Sequence, residues 1–203
     1  MTPIVTLLTV LGLTLTYSTL RYCVFGTTEW SQLPLYVMNK AVSWTALTLL
    51  ALAYLRREKS VARDLGVLGV FLAVGHVLMS LALLSPANYA KLFDGARLNA
   101  EGGGALLAGI TAVVLLALPA IATLPGVHGA LGEPRWLRWQ RAGYWALAIA
   151  AVHCALLGWK GWLTPEKWAA GMPPITLLSV VTAAAPLVRR ALRRSAGRGL
   201  TST

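Results

Sequence analysis

Six apolar stretches, each long enough to cross a bilayer, recur along a chain of 203 residues. They cover residues 3–22, 33–55, 65–85, 104–124, 143–159 and 173–188. A spanning helix needs roughly 20 mostly apolar residues, so the repetition predicts an all-α integral membrane bundle of six transmembrane helices. The last two stretches are short but sufficient when interfacial residues flank them. The connections are too brief to hold a folded soluble domain, so residues 1–203 are expected to form a single transmembrane domain. Charged residues make up 12% of the chain, against about a quarter in a typical soluble domain.

The basic residues give the bundle an orientation. Twelve of the 18 Lys and Arg residues fall on one side, in three clusters: Arg56 to Arg63, Arg135 to Arg141 and Arg189 to Arg198. Excess Lys and Arg mark the cytoplasmic side, so both termini are expected there. Trp30, Trp159, Trp162 and Trp168 fall near one interface, and Trp136 and Trp139 near the other, as an aromatic belt would. Because the net charge of +11 is spread over short clusters between apolar runs, lipid is the expected partner and nucleic acid is not. The first stretch lacks a basic lead and a small-residue cleavage site, and reads as a retained helix rather than a signal peptide. Two cysteines, Cys23 and Cys154, are too few for a disulfide framework or a thiolate metal site. The longest connection ends in Gly102, Gly103 and Gly104, with no strand before and no Lys-Ser/Thr after. That excludes a phosphate loop and predicts a flexible lead into the fourth helix.

Three histidines occur, and two of them, His76 and His153, fall inside predicted spans; His128 is expected in a loop. Ionisable groups within a membrane are rare and mark functional sites by default. His76 lies 13 residues beyond Arg63, and His153 lies 12 beyond Arg141. The third and fifth helices run in the same direction, so both imidazoles sit about 18–20 Å from the cytoplasmic boundary. Two histidines level on parallel helices suit the two axial positions of a haem iron. Small residues at helical spacing accompany them, Gly69, Ala73 and Ser80 beside His76 and Ala146 and Ala150 beside His153. Ile149 and Leu157 interrupt the second stripe, and small residues also serve ordinary helix packing in lipid. Zinc would want three or four ligands, and no third His or carboxylate lies at that level. Asn39 and Lys40 enter the second helix from the outer side as candidate partners for haem propionates, although Lys40 would also snorkel to the interface. Trp159 and Lys160 are weaker candidates of the same kind.

Two stretches resemble the ferric-reductase-like transmembrane domain family, and most closely the haem-binding membrane subunits of periplasmic methionine sulfoxide reductase systems. Arg63-Asp64-Leu65-Gly66-Val67 followed by His76 is similar to that family's start of the third helix. Trp136-Leu137-Arg138-Trp139-Gln140-Arg141-Ala142-Gly143-Tyr144 followed by His153 is similar to its start of the fifth. The likeness runs from about the second helix to the sixth. It implies one b-type haem in the outer half of the bilayer, ligated by His76 and His153, in a bacterial inner membrane. Where the family commonly has a histidine at the start of the fifth helix, this chain has Gln140, so a second, inner haem is not expected. Family members of this size also receive electrons from a flavin, either at the cytoplasmic membrane face or in a partner protein. Arg138, Gln140 and Arg141 are then either contacts to a flavin phosphate or to that partner, or simply anchors of the positive-inside kind.

The expected function is therefore a redox subunit, not a complete enzyme, passing electrons outward to a periplasmic-side acceptor. A protein partner would supply or accept electrons, since no dinucleotide fingerprint is present. The competing expectation is a non-catalytic structural subunit of a larger respiratory or photosynthetic type of complex, its haem lost. A transporter is disfavoured because no broken helix carries a charge cluster.

Overall fold

The computed structural model describes residues 2–199, and among these six helices are long and apolar enough to cross a membrane. The chain is thus a multi-pass membrane protein. The helices are α1 (Pro3–Thr19), α2 (Met38–Leu55), α3 (Lys59–Leu83), α4 (Ala100–Ala122), α5 (Glu133–Trp162) and α6 (Ile175–Gly199). Even crossings bring the chain back to its starting side, so one end of the bundle gathers the turns α2–α3 and α4–α5 and the end of α6. These carry the three basic clusters, and this end is called the arginine-rich end below.

Local chemistry sets the helix starts. Pro3 opens α1, where a missing N–H costs nothing, and the Thr2 hydroxyl accepts from the Val5 N–H at 3.4 Å. Helix α5 begins at Glu133, well before its apolar window, because Arg135 to Arg141 are good helix formers in the interfacial zone. Polarity ended the apolar run there without ending the helix. At the opposite end, α1 runs on into a wide π turn, Leu20–Val24, and α2 is preceded by another, Leu33–Val37, which contains Pro34. Such turns cluster at functional positions because they re-aim the residues that follow. Here the residues that follow the second are Asn39 and Lys40.

Helix α2 is the hub. Some 56% of its most apolar window is buried within the bundle, against 17% for α1 and 11% for α3. It packs on α1, α3 and α6, while α4 packs on α5 and α5 on α6. The shared core joins Leu47 and Leu50 of α2, Leu116 of α4, Ala146 and Leu147 of α5 and Ala183 of α6. Leu8, Phe71, Leu107 and Trp145 face outward, as lipid-facing side chains do. Helix α3 lies against α2 and touches α4 only lightly.

The glycine triplet is not a flexible lead. Helix α4 begins at Ala100, so all three glycines are helical, and the Asn99 side chain caps them by accepting from the Gly102 N–H at 2.8 Å. The connection before it is built, not loose: a helical turn Pro86–Tyr89, a 3-10 turn Ala90–Leu92, and a small hairpin pairing Phe93 with Leu98. Gly102 is there for clearance, since a Cβ would collide with the carbonyl oxygen of Leu92. His128, expected in a loop, lies in the short helix Val127–Leu131.

The contrast within the triplet is testable. Gly102→Ala is expected to lower stability by about 1–3 kcal/mol through overpacking against backbone. Gly103→Ala, with open space around it, is expected to be neutral or to stabilise by up to about 1 kcal/mol. Thermal unfolding of the two variants in the same detergent measures both, and equal effects would contradict this packing.

Candidate functional site

His76 lies on α3 and His153 on α5. On the His76 side, the Asn39 Oδ1 is 2.7 Å from the imidazole Nδ1. An amide oxygen only accepts, so Nδ1 carries the proton and donates. The other half of the amide donates from Nδ2 to the Ser80 Oγ at 3.0 Å, and that hydroxyl is itself 3.3 Å from the ring nitrogen. Asn39 is 2% exposed. Asn39 is a candidate propionate partner by sequence; in the structure its side chain is hydrogen-bonded to His76 and Ser80.

His153 is held differently. Its Nδ1 lies 2.7 Å from the backbone carbonyl oxygen of Ala105 on α4, so again Nδ1–H donates. Helix α4 supplies the space as well as the acceptor. A Cβ on Gly109 would lie 3.0 Å from Nδ1 and 3.1 Å from Cε1, so any larger residue would press the ring back by a few tenths of an ångström. In a neutral imidazole with its proton on Nδ1, the lone pair is on Nε2. Both rings are therefore fixed in the tautomer that metal-binding histidines use, with the far nitrogen oriented by a partner.

Between the light contacts of α3 and α4 lies an aliphatic cleft of about 180 Å³, lined among others by Val70, Ala73, Val74, Val113 and Leu116. Ala73 is one turn from His76 towards the arginine-rich end. No group of three or more His, Cys, Asp or Glu side chains able to hold a metal occurs among the described residues.

On the other side of His76 the site is cationic. The Lys40 ammonium sits over three phenol rings, 4.2 Å from the centre of Tyr36, 5.1 Å from Tyr22 and 5.8 Å from Tyr89. The ring quadrupoles stabilise a desolvated cation. Its charged neighbours are further cations, Arg21 and Lys91. Arg21 donates from Nη1 to the Met172 carbonyl, while its Nε is buried with no partner. Lys91, in the connection outside the spans, donates to the Leu157 carbonyl, and burial holds its ammonium below the usual lysine range. Lys160 pairs with Glu101 at 2.6 Å.

At the arginine-rich end, Gln140 does a structural task. Its Nε2 donates to the Pro119 carbonyl at 3.4 Å, and the Trp136 Nε1 donates to the Ala122 carbonyl at 3.1 Å. The two side chains occupy acceptors that the end of α4 leaves free. The backbone oxygen of Gln140 accepts from the Tyr54 hydroxyl at 3.0 Å. Arg138 and Arg141 are exposed on α5. The sequence pattern missed Gly109, the Ala105 carbonyl and the tyrosine cage; the GxxxG-like spacing Ala105–Gly109 was the one signal for the first two.

No family model matches the chain. Among curated proteins it is similar to the metalloreductase STEAP2 of Mus musculus, 27% identical over 192 residues, with 75% of this chain and 39% of the relative covered. It is also similar to the metalloreductase STEAP2 of Homo sapiens, 26% identical over the same length and coverage. The chain thus spans about two fifths of the length of these relatives. The likeness is to metal-reducing proteins, in keeping with the ferric-reductase-like character of the sequence, and lends nothing to the narrower methionine sulfoxide reductase likeness. Both relatives are mammalian, so they do not bear on a bacterial setting.

Removing the Asn39 amide strands the His76 Nδ1 proton in an apolar setting. Asn39→Ala is expected to cost about 1–3 kcal/mol of stability, and Ser80→Ala, at the longer distance, less. Chemical denaturation of the two variants ranks them, and the reverse order would remove Asn39 as the principal partner.

Proposed function

We propose that this chain is a transmembrane electron-transfer domain that holds one haem b between His76 and His153, towards the outer half of the bilayer. The observation that carries the reading is the matched state of the two imidazoles, each with Nδ1–H committed to a fixed acceptor and Nε2 left with its lone pair. The residues present fit the group. Two neutral imidazole nitrogens would serve as iron ligands, the small side chain of Ala73 one turn from His76 would leave room for an apolar macrocycle, and Lys40 and Arg21 would suit propionate carboxylates. When bound, haem supplies one-electron chemistry; the protein supplies ligands, burial and the local field.

Each remaining role belongs to a side chain. Asn39 and Ala105 keep the ligand nitrogens deprotonated and aimed. Gly109 keeps α4 out of the way of the His153 ring. Lys40 would meet a propionate, and the tyrosines hold its ammonium in place with no protein carboxylate competing for it. Gln140, tied to the end of α4, is unsuited to hold a second haem. The arginine-rich end faces the cytoplasm on the charge bias, with electrons entering there, from a flavin that exposed Arg138 and Arg141 would help hold or from a partner protein, and leaving on the opposite side. The similarity to metalloreductases makes an oxidised metal ion the acceptor class favoured here. A bacterial inner-membrane location is part of this proposal.

Reduced-minus-oxidised visible spectroscopy of protein purified from haem-replete cells tests the reading. The expected result is a low-spin b-type spectrum with one haem per chain, lost in His76→Ala and in His153→Ala and unchanged in stoichiometry in Gln140→Ala. A colourless, folded preparation would overturn it in favour of a structural subunit.

A further inference from the structure

At the arginine-rich end a cavity of about 250 Å³ opens between α2, α5 and α6, away from both histidines. Tyr54 and Tyr144 form one wall, with ring centres 4.4 Å apart. Arg189, Arg190, Arg193 and Arg194 of α6 form the other, and no carboxylate lines it. The four arginines fall at i, i+1, i+4 and i+5, which places them on one side of the helix. Two are already fixed in place. Arg189 donates to the Leu55 carbonyl at the end of α2, and the Arg190 guanidinium lies 4.2 Å from the centre of the Tyr144 ring. Arg193 and Arg194 are exposed, and the ion pairs among the described residues, Arg63–Asp64 and Lys160–Glu101, include neither.

Charge that only orients a helix in the membrane needs no cavity, no aromatic wall and no ordering of its guanidinium groups. Converging arginines without a counter-charge are suited to a multivalent oxyanion, since planar guanidinium forks match phosphate geometry. We propose that this cavity is a binding site for a phosphate group, held by Arg190, Arg193 and Arg194 against Tyr54 and Tyr144. The face of α6 decides between the sources of that phosphate. Val181, Val188 and Leu192, all more than half exposed, are spaced by seven and four residues and form the lipid-facing stripe. At 100° per residue that stripe lies roughly opposite the arginines. The cavity therefore turns inward and towards the aqueous phase, which favours a soluble phosphate ester over a lipid headgroup. The inference is independent of the haem reading.

The test is titration of inorganic pyrophosphate into the full chain in phosphatidylcholine nanodiscs, followed by calorimetry. Saturable binding is expected, weakened at least tenfold in Arg193→Gln/Arg194→Gln and less than twofold in Arg57→Gln/Lys59→Gln, which removes equal charge from the same end. Both replaced pairs are exposed, so folding is not at stake. Repeating the titration in phosphatidylglycerol nanodiscs separates the sources. Undiminished pyrophosphate affinity supports the soluble ester, and affinity in the unaltered chain that falls as the phosphatidylglycerol fraction rises assigns the phosphate to lipid. Absence of saturable binding in both lipids, or equal loss in the two variant pairs, overturns the site.

Discussion

Hydrocarbon offers no hydrogen bonds, so every polar group carried into the bilayer must find its partner within the protein. Much of this bundle can be read as the working out of that requirement. Thr14 and Thr45 pair their hydroxyls at 2.6 Å where α1 meets α2, and the Trp44 indole donates to Thr182 at 3.2 Å where α2 meets α6. Trp136 and Gln140 serve the carbonyls left open as α4 ends. The same requirement, applied to an imidazole, has an additional result. A buried ring satisfied at one nitrogen has its proton fixed there, and its other nitrogen becomes a base of defined direction. On the proposed reading, solvating His76 and His153 and preparing them as ligands are one act.

The two ends of the bundle handle positive charge in contrasting ways. Towards the end near His76, Lys40 is enclosed by aromatic faces, with Arg21 and Lys91 nearby and no acid beside it. At the far end Arg193 and Arg194 of α6 are solvated, while Arg190 is laid on Tyr144 and Arg189 donates to the Leu55 carbonyl. Tyrosine serves both, because its ring attracts a cation without cancelling its field. A carboxylate in either place would hold the cation more firmly and leave nothing for an incoming anion.

The six crossings were legible because hydrophobic length is a property of contiguous sequence. The two histidines were legible because an ionisable group inside such a run is conspicuous. What could not be read was anything carried by backbone or by empty space. The acceptor for His153 is a main-chain oxygen of an alanine, and the room for its ring is the missing side chain of Gly109. Neither differs in sequence from an ordinary packing residue. Gln140 was conspicuous as a departure from the family pattern, but its bond to the Pro119 carbonyl depends on how α4 and α5 approach. The glycine triplet is illegible for a related reason: a run of glycines reads as flexibility, whereas Gly102 permits close contact with Leu92 and the Asn99 cap carries the helix through all three. Likewise the arginines of α6 were visible as a count, and only the packing of α6 on α2 and α5 gives them a common inward side.

The unlike partners of the two imidazoles have an evolutionary corollary. The acceptor for His76 is a side chain, so one codon change at position 39 alters it, to aspartate, serine or a hydrophobe, each with a different pull on the ring. The acceptor for His153 is part of the main chain and survives substitutions at position 105 that fit the buried site and leave the packing of α4 unchanged. Drift among descendants of this sequence should therefore retune one half of the pair and leave the other constant, making α2 the place where natural variation adjusts the site.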